Sequence, residues 1–161
     1  MQRRPDLNNV CSVQVRGTLK SDITDVVNDL AGESLAEAQA YDPVIGEFVK
    51  LLLQNGEQPC IDTLQLTSET TKMLWSQWFR FIVRSGVVYR LWFGRNGEPS
   101  RMQLLAPRGI REDIVKLSHG GMCGGHMGIA KTCNQVQRRA FWPGWRKDTV
   151  MFCRRCPQCC S

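Results

Sequence analysis

The two histidines of the chain and one pair of its cysteines have the spacing of a metal site. His119 and His126 are separated by six residues, and Cys156 and Cys159 form a Cys-x2-Cys pair after a further 29 residues. Two imidazoles and two thiolates suit tetrahedral Zn²⁺, and the short cysteine spacing lets one turn present both sulfurs to one ion. Because the protein would fill all four positions, such a site is structural and leaves no open position to activate water.

The remaining cysteines leave one alternative open. Cys153 and Cys156 also form a Cys-x2-Cys pair, but Cys153 is expected on a helix, which favours Cys156 and Cys159 in the turn that follows. Cys160 directly adjoins Cys159 and is an awkward replacement. The other four are expected to be core or surface thiols or have no partner pattern: Cys11, Cys60, Cys123 and Cys133. A Cys-x2-Cys pair also serves thiol–disulfide exchange, but the βαβ context typical of that chemistry is not predicted here.

Composition and charge restrict the class of protein. The chain has 161 residues, 42% of them hydrophobic, which suits one domain or two small ones. No apolar run approaches the ~18 residues that span a bilayer, and no signal sequence follows Met1, so an intracellular protein without a membrane partner is expected. Residues 1–70 carry 5 Lys and Arg against 11 Asp and Glu, whereas residues 71–161 carry 16 against 4. The basic half could attract nucleic acid, although a solvated surface explains the same charge.

The elements before the metal pattern predict helices followed by a β-hairpin. Residues 1–40 are predicted to be an irregular to weakly helical leader, in which Ser34 and Glu37 have the form of a capping box. One helix is predicted from Asp42 and Pro43 to Gly56, and a longer one over residues 69–84. Residues 87–93 and 101–106 are rich in strand-forming side chains and predict the hairpin.

Residues 107–161 predict three short helices, over about 110–117, 127–138 and 143–153, around a small core that a bound metal would help greatly to stabilise. The predicted fold class is therefore α+β and mostly helical, with a small zinc-stabilised three-helix bundle at the end. The large aromatic side chains and the adjoining proline are expected in cores rather than in contact with a ligand: Trp75, Trp78, Trp92, Phe93, Trp142, Pro143 and Trp145.

Several short motifs of the basic half occur together in the order and spacing of one family. They are Leu117-Ser118-His119-Gly120, Gly125-His126-Met127-Gly128, Lys131-Thr132, Phe141-Trp142-Pro143-Gly144 and Cys156-Pro157-Gln158-Cys159. This segment resembles the zinc-binding domain of integrases, most closely those of Gypsy-type long-terminal-repeat retrotransposons. Upstream, Leu74-Trp75, Gln77-Trp78 and the stretch 85–90 look like the extension that precedes this domain in the polyproteins. Arg3-Arg4-Pro5 looks like the tail that follows their ribonuclease H domain.

The resemblance implies a division of the chain and a set of partners. Residues 1–40 would be the linker after ribonuclease H, 41–106 the integrase N-terminal extension and 107–161 the zinc-binding domain. The domain would bind one structural Zn²⁺, associate with other integrase subunits, contact the DNA ends of the element and work in the nucleus or cytoplasm, with no small-molecule substrate. The zinc ligands would be His119, His126, Cys156 and Cys159. The candidate phosphate contacts, which on their own are equally typical of a solvated helix face, are Lys131, Arg138, Arg139, Arg146 and Lys147.

The catalytic core of such integrases, with its three carboxylates, follows the zinc domain. The acidic residues of the basic half are Glu98, Glu112, Asp113 and Asp148, and none lies in a stretch that matches that core. The sequence therefore predicts no integration or nuclease activity for this polypeptide alone. Two alternatives stay open: an incomplete piece of an active integrase polyprotein, or a domesticated or decayed fragment that acts as a zinc-dependent adaptor.

Overall fold

A computed structural model describes residues 34–120 and 125–159. Over these residues the chain has six α-helices, two short 3-10 helices and one four-stranded sheet. The predicted class, α+β and mostly helical, is confirmed. The expectations for residues 1–33 and for Cys11, Cys123 and Cys160 lie outside the described residues.

Helix α1 (Leu35–Ala40) begins at the predicted cap, where the Ser34 side chain accepts a hydrogen bond from the Glu37 N–H at 3.3 Å. It lies within the predicted leader, yet it is anchored on the sheet by the fully buried side chain of Gln39. The Gln39 amide donates to the carbonyls of Val88 and Leu105 at 2.9 and 2.7 Å, and accepts from the Val88 N–H at 2.8 Å. One side-chain amide thus bridges two strands.

Helix α2 (Gly46–Gln54) starts later than the sequence predicted. The carboxylate of Asp42 accepts from the N–H groups of Val44 and Ile45 at 2.7 and 2.8 Å, so it caps this segment as expected, but Pro43 lies in the turn before the helix. The same carboxylate accepts from the Arg108 N–H. A Cβ on Gly46 would lie 2.6 Å from the Ala40 carbonyl oxygen, so a glycine is needed where α2 leaves α1.

The long helix predicted over residues 69–84 is wrong in its second half. Helix α3 spans only Glu69–Trp75, a 3-10 helix follows at Trp78–Arg80, and strand β1 occupies Phe81–Arg84. Ser85 and Gly86 both have positive φ, 50° and 78°, which is the conformation of a tight two-residue hairpin turn. This turn pairs β1 with the next strand and prevents the helix from continuing.

The sheet is an antiparallel meander to which one short parallel strand is added. Strands β2 (Val87–Phe93) and β3 (Pro99–Leu105) form the predicted hairpin, with Tyr89 opposite Leu104. Strand β4 (Ala140–Phe141), which the sequence did not predict, pairs in parallel with the end of β3. The last helices are thereby joined to the sheet.

Two apolar clusters hold these elements together. The first lies between α2, α3 and the sheet and consists of Ile45, Phe48, Val49, Leu74, Trp78, Phe81, Val88 and Leu105. The second joins α1 and β3 to the C-terminal helices and consists of Leu35, Leu104, Ala106, Ile110, Ile114, Val115, Val136, Ala140 and Trp142. The C-terminal helices therefore share a core with the upstream elements.

The aromatic predictions are confirmed for the two tryptophans that are buried, Trp78 and Trp142. Trp75, Trp92, Pro143 and Trp145 are half-buried. Phe93 is 37% exposed, so its placement in the core was wrong; it lies at the end of β2 beside a register shift and faces solvent. Within the described parts of the chain, every helix is too short or too polar for a membrane span.

Candidate metal centre

Three helices build the C-terminal module: α4 (Arg108–Gly120), α5 (Ile129–Arg139) and α6 (Trp145–Arg155). They correspond to the three helices that the sequence predicted. Their apolar side chains lie at the end of the module next to the sheet, where Ile110, Ile114, Val136 and Trp142 are buried. The opposite end carries the four predicted ligands.

The chain folds so that three separate segments meet at that end. His119 lies in the last turn of α4, His126 in the connection before α5, and Cys156 and Cys159 in the turn after α6. The Met127 N–H donates to the His119 carbonyl at 3.0 Å, and the Cys159 N–H donates to the Cys156 carbonyl at 3.1 Å. These backbone bonds fix the two connections that carry the side chains.

The donor atoms of the four side chains all lie within 4.8 Å of one another. His119 Nε2 is 3.1 Å from His126 Nδ1 and 3.3 Å from Cys159 Sγ, and Cys156 Sγ is 3.2 Å from His126 Nδ1. Around a tetrahedral zinc ion, with bonds of about 2.0 Å to nitrogen and about 2.3 Å to sulfur, neighbouring ligand atoms lie about 3.3–3.8 Å apart. The three short separations, 3.1–3.3 Å, are within a few tenths of an ångström of these values, and the widest separation, up to 4.8 Å, would close by about 1 Å around one such ion.

Each histidine presents a different ring nitrogen to the cluster. His119 presents Nε2, and its other nitrogen, Nδ1, lies 3.1 Å from the hydroxyl of Thr132. His126 presents Nδ1. The His119 ring is almost fully buried, with the Phe152 ring edge-on at 5.8 Å between centroids, whereas His126 is exposed. His119 therefore contacts both the cluster and the side chains behind it, Thr132 and Phe152. The contacts described for His126 are with the other members of the cluster.

The alternative ligand Cys153 lies behind His119. It is buried on α6, and its Sγ is 3.6 Å from His119 Nδ1, the nitrogen that faces away from His126. The four-residue cluster does not include it. Cys133 is buried on α5 and Cys60 is exposed in the upstream region.

The thiols of the module differ in how readily they ionise. Desolvation opposes ionisation of Cys156, but hydrogen bonds from the backbone of Cys159 and Gln158 and from the Cys159 thiol lower its pKa overall. Burial raises the pKa of Cys133. A lowered thiol pKa favours the thiolate, which is the form that binds metal.

The five candidate phosphate contacts are not brought into one cluster. Lys131, Arg138, Arg146 and Lys147 are exposed. Arg139 is half-buried, and its guanidinium donates to the Ser118 hydroxyl at 3.2 Å, so it serves the packing of α5 against α4.

Sequence reasoning did not find two features of the module. The first is the role of Thr132, because the Lys131-Thr132 motif by itself does not indicate that the threonine lies next to a histidine. The second is a cavity of about 850 Å³ between α4 and α6, whose lining includes four cations, Arg108, Arg111, Lys116 and Arg155. Their spacing along two helices could have indicated a shared face, but nothing in the sequence showed how the helices pair.

Comparison with known families also identifies the region that contains the four clustered side chains. The family model described as "Integrase zinc binding domain" matches residues 106–161. Searches of curated proteins and of solved structures found no significant match. Integrase domains of this kind bind zinc, and the structure gathers two histidines and two cysteines that could hold one ion. Residues 106–161 of this chain therefore match the integrase zinc-binding family, and the four clustered side chains lie within that match.

Proposed function

We propose that this chain is the non-catalytic N-terminal part of a retrotransposon integrase. In it, one structural zinc ion, bound by His119, His126, Cys156 and Cys159, organises a module that contacts DNA and other integrase subunits. The observation that carries the proposal is the convergence of those four donors, within 4.8 Å, in a domain of the integrase family. The matched family model describes a zinc-binding domain rather than a catalytic core.

The charge of the module supports DNA as a partner. Between Asp113 and Asp148 the sequence contains six Lys and Arg and no acidic residue. Lys131 and Arg138 are seven residues apart on α5, so they lie on one face of that helix, and both are exposed. Such a face suits the phosphate backbone, which gives affinity without sequence readout.

The DNA proposal is tested by fluorescence anisotropy of the zinc-loaded chain with a labelled DNA duplex over a range of salt. We expect Lys131→Glu with Arg138→Glu to weaken binding and to reduce the slope of log affinity against log salt by about one for each lost phosphate contact. The matched control is Arg84→Glu with Arg95→Glu, two exposed residues of the upstream region that give the same change in net charge. An equal loss in both double variants, or no binding by the wild type, contradicts a DNA-binding face on α5.

Exposed apolar side chains support self-association. Each helix of the module leaves one large apolar residue more than a third exposed: Leu117 at 38%, Ile129 at 40% and Met151 at 39%. In sedimentation velocity we expect zinc-loaded wild type to associate and Leu117→Asp with Ile129→Asp to be monomeric. Leu66→Asp, at a fully exposed leucine of the upstream region, should associate like the wild type. A wild type that stays monomeric at all concentrations removes this part of the proposal.

A zinc-dependent adaptor is separated from the integrase role by the same two experiments. An adaptor requires the zinc-bound fold but neither the basic face nor self-association. A folded, zinc-loaded chain that neither binds DNA nor associates would therefore contradict the integrase proposal and favour the adaptor.

A further inference from the structure

The hydroxyl of Thr132 lies at a branch point behind the metal cluster. Thr132 is fully buried on α5, and its Oγ1 is 3.1 Å from His119 Nδ1, 3.1 Å from the Met127 carbonyl and 3.1 Å from the Gly128 carbonyl. The hydroxyl has one proton to donate and three neighbours within hydrogen-bond distance.

The chemistry of these neighbours determines the direction of the bonds. The two carbonyl oxygens can only accept, and a hydroxyl that donated to Nδ1 would face both of them at 3.1 Å with no proton between, so the arrangement favours a hydroxyl proton directed at a carbonyl. His119 Nδ1 can then bond to the hydroxyl only as a donor, which places the imidazole proton on Nδ1. The other nitrogen, Nε2, is left without a proton, and it is Nε2 that lies 3.1 Å from His126 Nδ1 and 3.3 Å from Cys159 Sγ.

We propose that Thr132 is a positioning residue of the zinc site: its hydroxyl selects the Nδ1–H tautomer of His119 and aims Nε2 at the ion. The inference rests on the proposed ligand role of His119. The partner on a metal-bound histidine's second nitrogen fixes the orientation of the ring and raises its affinity for the metal.

The same hydroxyl links both histidine segments of the site. Met127, whose carbonyl is one of its acceptors, follows His126 directly and donates its own N–H to the His119 carbonyl at 3.0 Å. The remaining neighbour of His119 Nδ1 is the sulfur of Cys153 at 3.6 Å, a longer contact with a weaker acceptor. Thr132 is therefore the better of the two partners for the Nδ1 proton.

The test compares three variants of the full chain, each loaded with zinc. Thr132→Val removes the hydroxyl and keeps the shape, and Thr132→Ser restores a hydroxyl. Thr149→Val is the matched control, because Thr149 is also fully buried in a helix and its hydroxyl donates to a carbonyl four residues earlier, that of Trp145, at 2.7 Å. Thr149 has no hydrogen bond to a histidine among the described contacts.

Two quantities are measured: zinc affinity by competition with a chromogenic chelator, and the ring nitrogens of His119 by long-range proton–nitrogen NMR. We expect zinc affinity to fall about tenfold or more in Thr132→Val and to stay near the wild-type value in Thr132→Ser and Thr149→Val. In the wild type, His119 should carry a slowly exchanging Nδ1 proton with zinc on Nε2, and Thr132→Val should lose that protection.

The inference would be overturned by a wild-type spectrum with zinc on His119 Nδ1, or by equal zinc affinity in Thr132→Val and wild type. Equal losses in Thr132→Val and Thr149→Val would also overturn it, because they would reflect a lost buried hydrogen bond alone. The wild-type spectrum decides the tautomer even where a variant does not fold. A wild type that binds no zinc would instead refute the proposed function itself.

Discussion

The two ends of the C-terminal module are stabilised in different ways. The end next to the sheet is packed with apolar side chains, among them the fully buried Trp142, and shares its core with Leu35 of α1 and Leu104 of β3. At the far end the contacts are among histidines and cysteines, and two of the four, His126 and Cys159, are exposed. Apolar packing holds the chain where the sheet supplies a surface, and beyond that surface, where three chain segments meet, the four donors could hold a metal instead.

The upstream region, like the end of the module next to the sheet, is stabilised by apolar packing. Its core surrounds Phe48, whose ring contacts Trp78 and Phe81 edge-on. Its buried polar groups are paired: Arg90 donates to the side-chain oxygens of Gln77 and Gln103 at 2.8–3.0 Å. The account therefore predicts that only the far end of the module depends on zinc.

The largest effect is expected from loss of one ligand. His126→Ala and Cys159→Ser should lose bound zinc and the helicity of the far end of the C-terminal module, because zinc binding in small modules contributes on the order of 10–16 kcal/mol to folding. Circular dichroism and thermal melts measure this. Cys60→Ser, at an exposed cysteine outside the module, is the control and should behave like the wild type. Unchanged helicity and melting in both ligand variants would show that the far end does not need the metal.

Trp142→Ala should destabilise the protein by about 3–5 kcal/mol, through the cavity left by a large, fully buried side chain. It also removes the hydrogen bond from Trp142 Nε1 to Asp148 at 2.8 Å. The effect is measured by urea unfolding of the zinc-loaded chain, with zinc stoichiometry expected to remain at one. If the variant loses its zinc under native conditions, the two ends of the module are not stabilised independently.

Gln39→Ala should destabilise the upstream region by about 2–3 kcal/mol, because it leaves the buried Val88 and Leu105 backbone groups without their amide partner. The Gln39 amide bonds at the point where the β2–β3 ladder ends, after Tyr89 and Leu104. Urea unfolding measures the loss, and chelator competition should give wild-type zinc affinity. A large drop in zinc affinity would mean that the upstream region shapes the metal site directly.

Acid should release zinc from the metal site and destabilise the upstream region at different pH values. The ligands bind zinc only in their deprotonated forms, so protons compete with the ion and zinc should leave as the pH falls. Upstream, a hydrogen bond from Thr71 lowers the pKa of Glu47 below 4.5, so the stability this carboxylate contributes is lost only as the pH falls below that value. Chelator-detected zinc release and hydrogen exchange of residues 34–105 should therefore have separate midpoints. A shared midpoint would contradict independent stabilisation.

The sequence revealed what depends on local chemistry. The ligand spacing predicted the cluster around His119, and the caps at Ser34 and Asp42 were visible as residue types that accept backbone N–H groups. These features need only neighbouring residues.

What the sequence did not reveal depends on contacts distant along the chain. Strand β4 has only two residues and forms because the end of β3 offers it a partner. The role of Gln39 depends on strands 49 and 66 residues away, and that of Thr132 on a histidine 13 residues earlier in another helix. The error at residues 76–84 has a local cause: Leu74, Trp78 and Phe81 have helical spacing, whereas Ser85 and Gly86 form a hairpin turn that requires a strand before it.

The most direct test of the central claim is native mass spectrometry of the full chain with and without chelator, combined with hydrogen exchange on the same samples. The account predicts one zinc ion per chain. When zinc is removed, hydrogen exchange should become faster for the amides around residues 117–119, 125–132 and 153–159. The amides of β2, β3 and α2 should stay protected. A chain that is folded and protected throughout without any metal would contradict the ligand assignment and the function built on it.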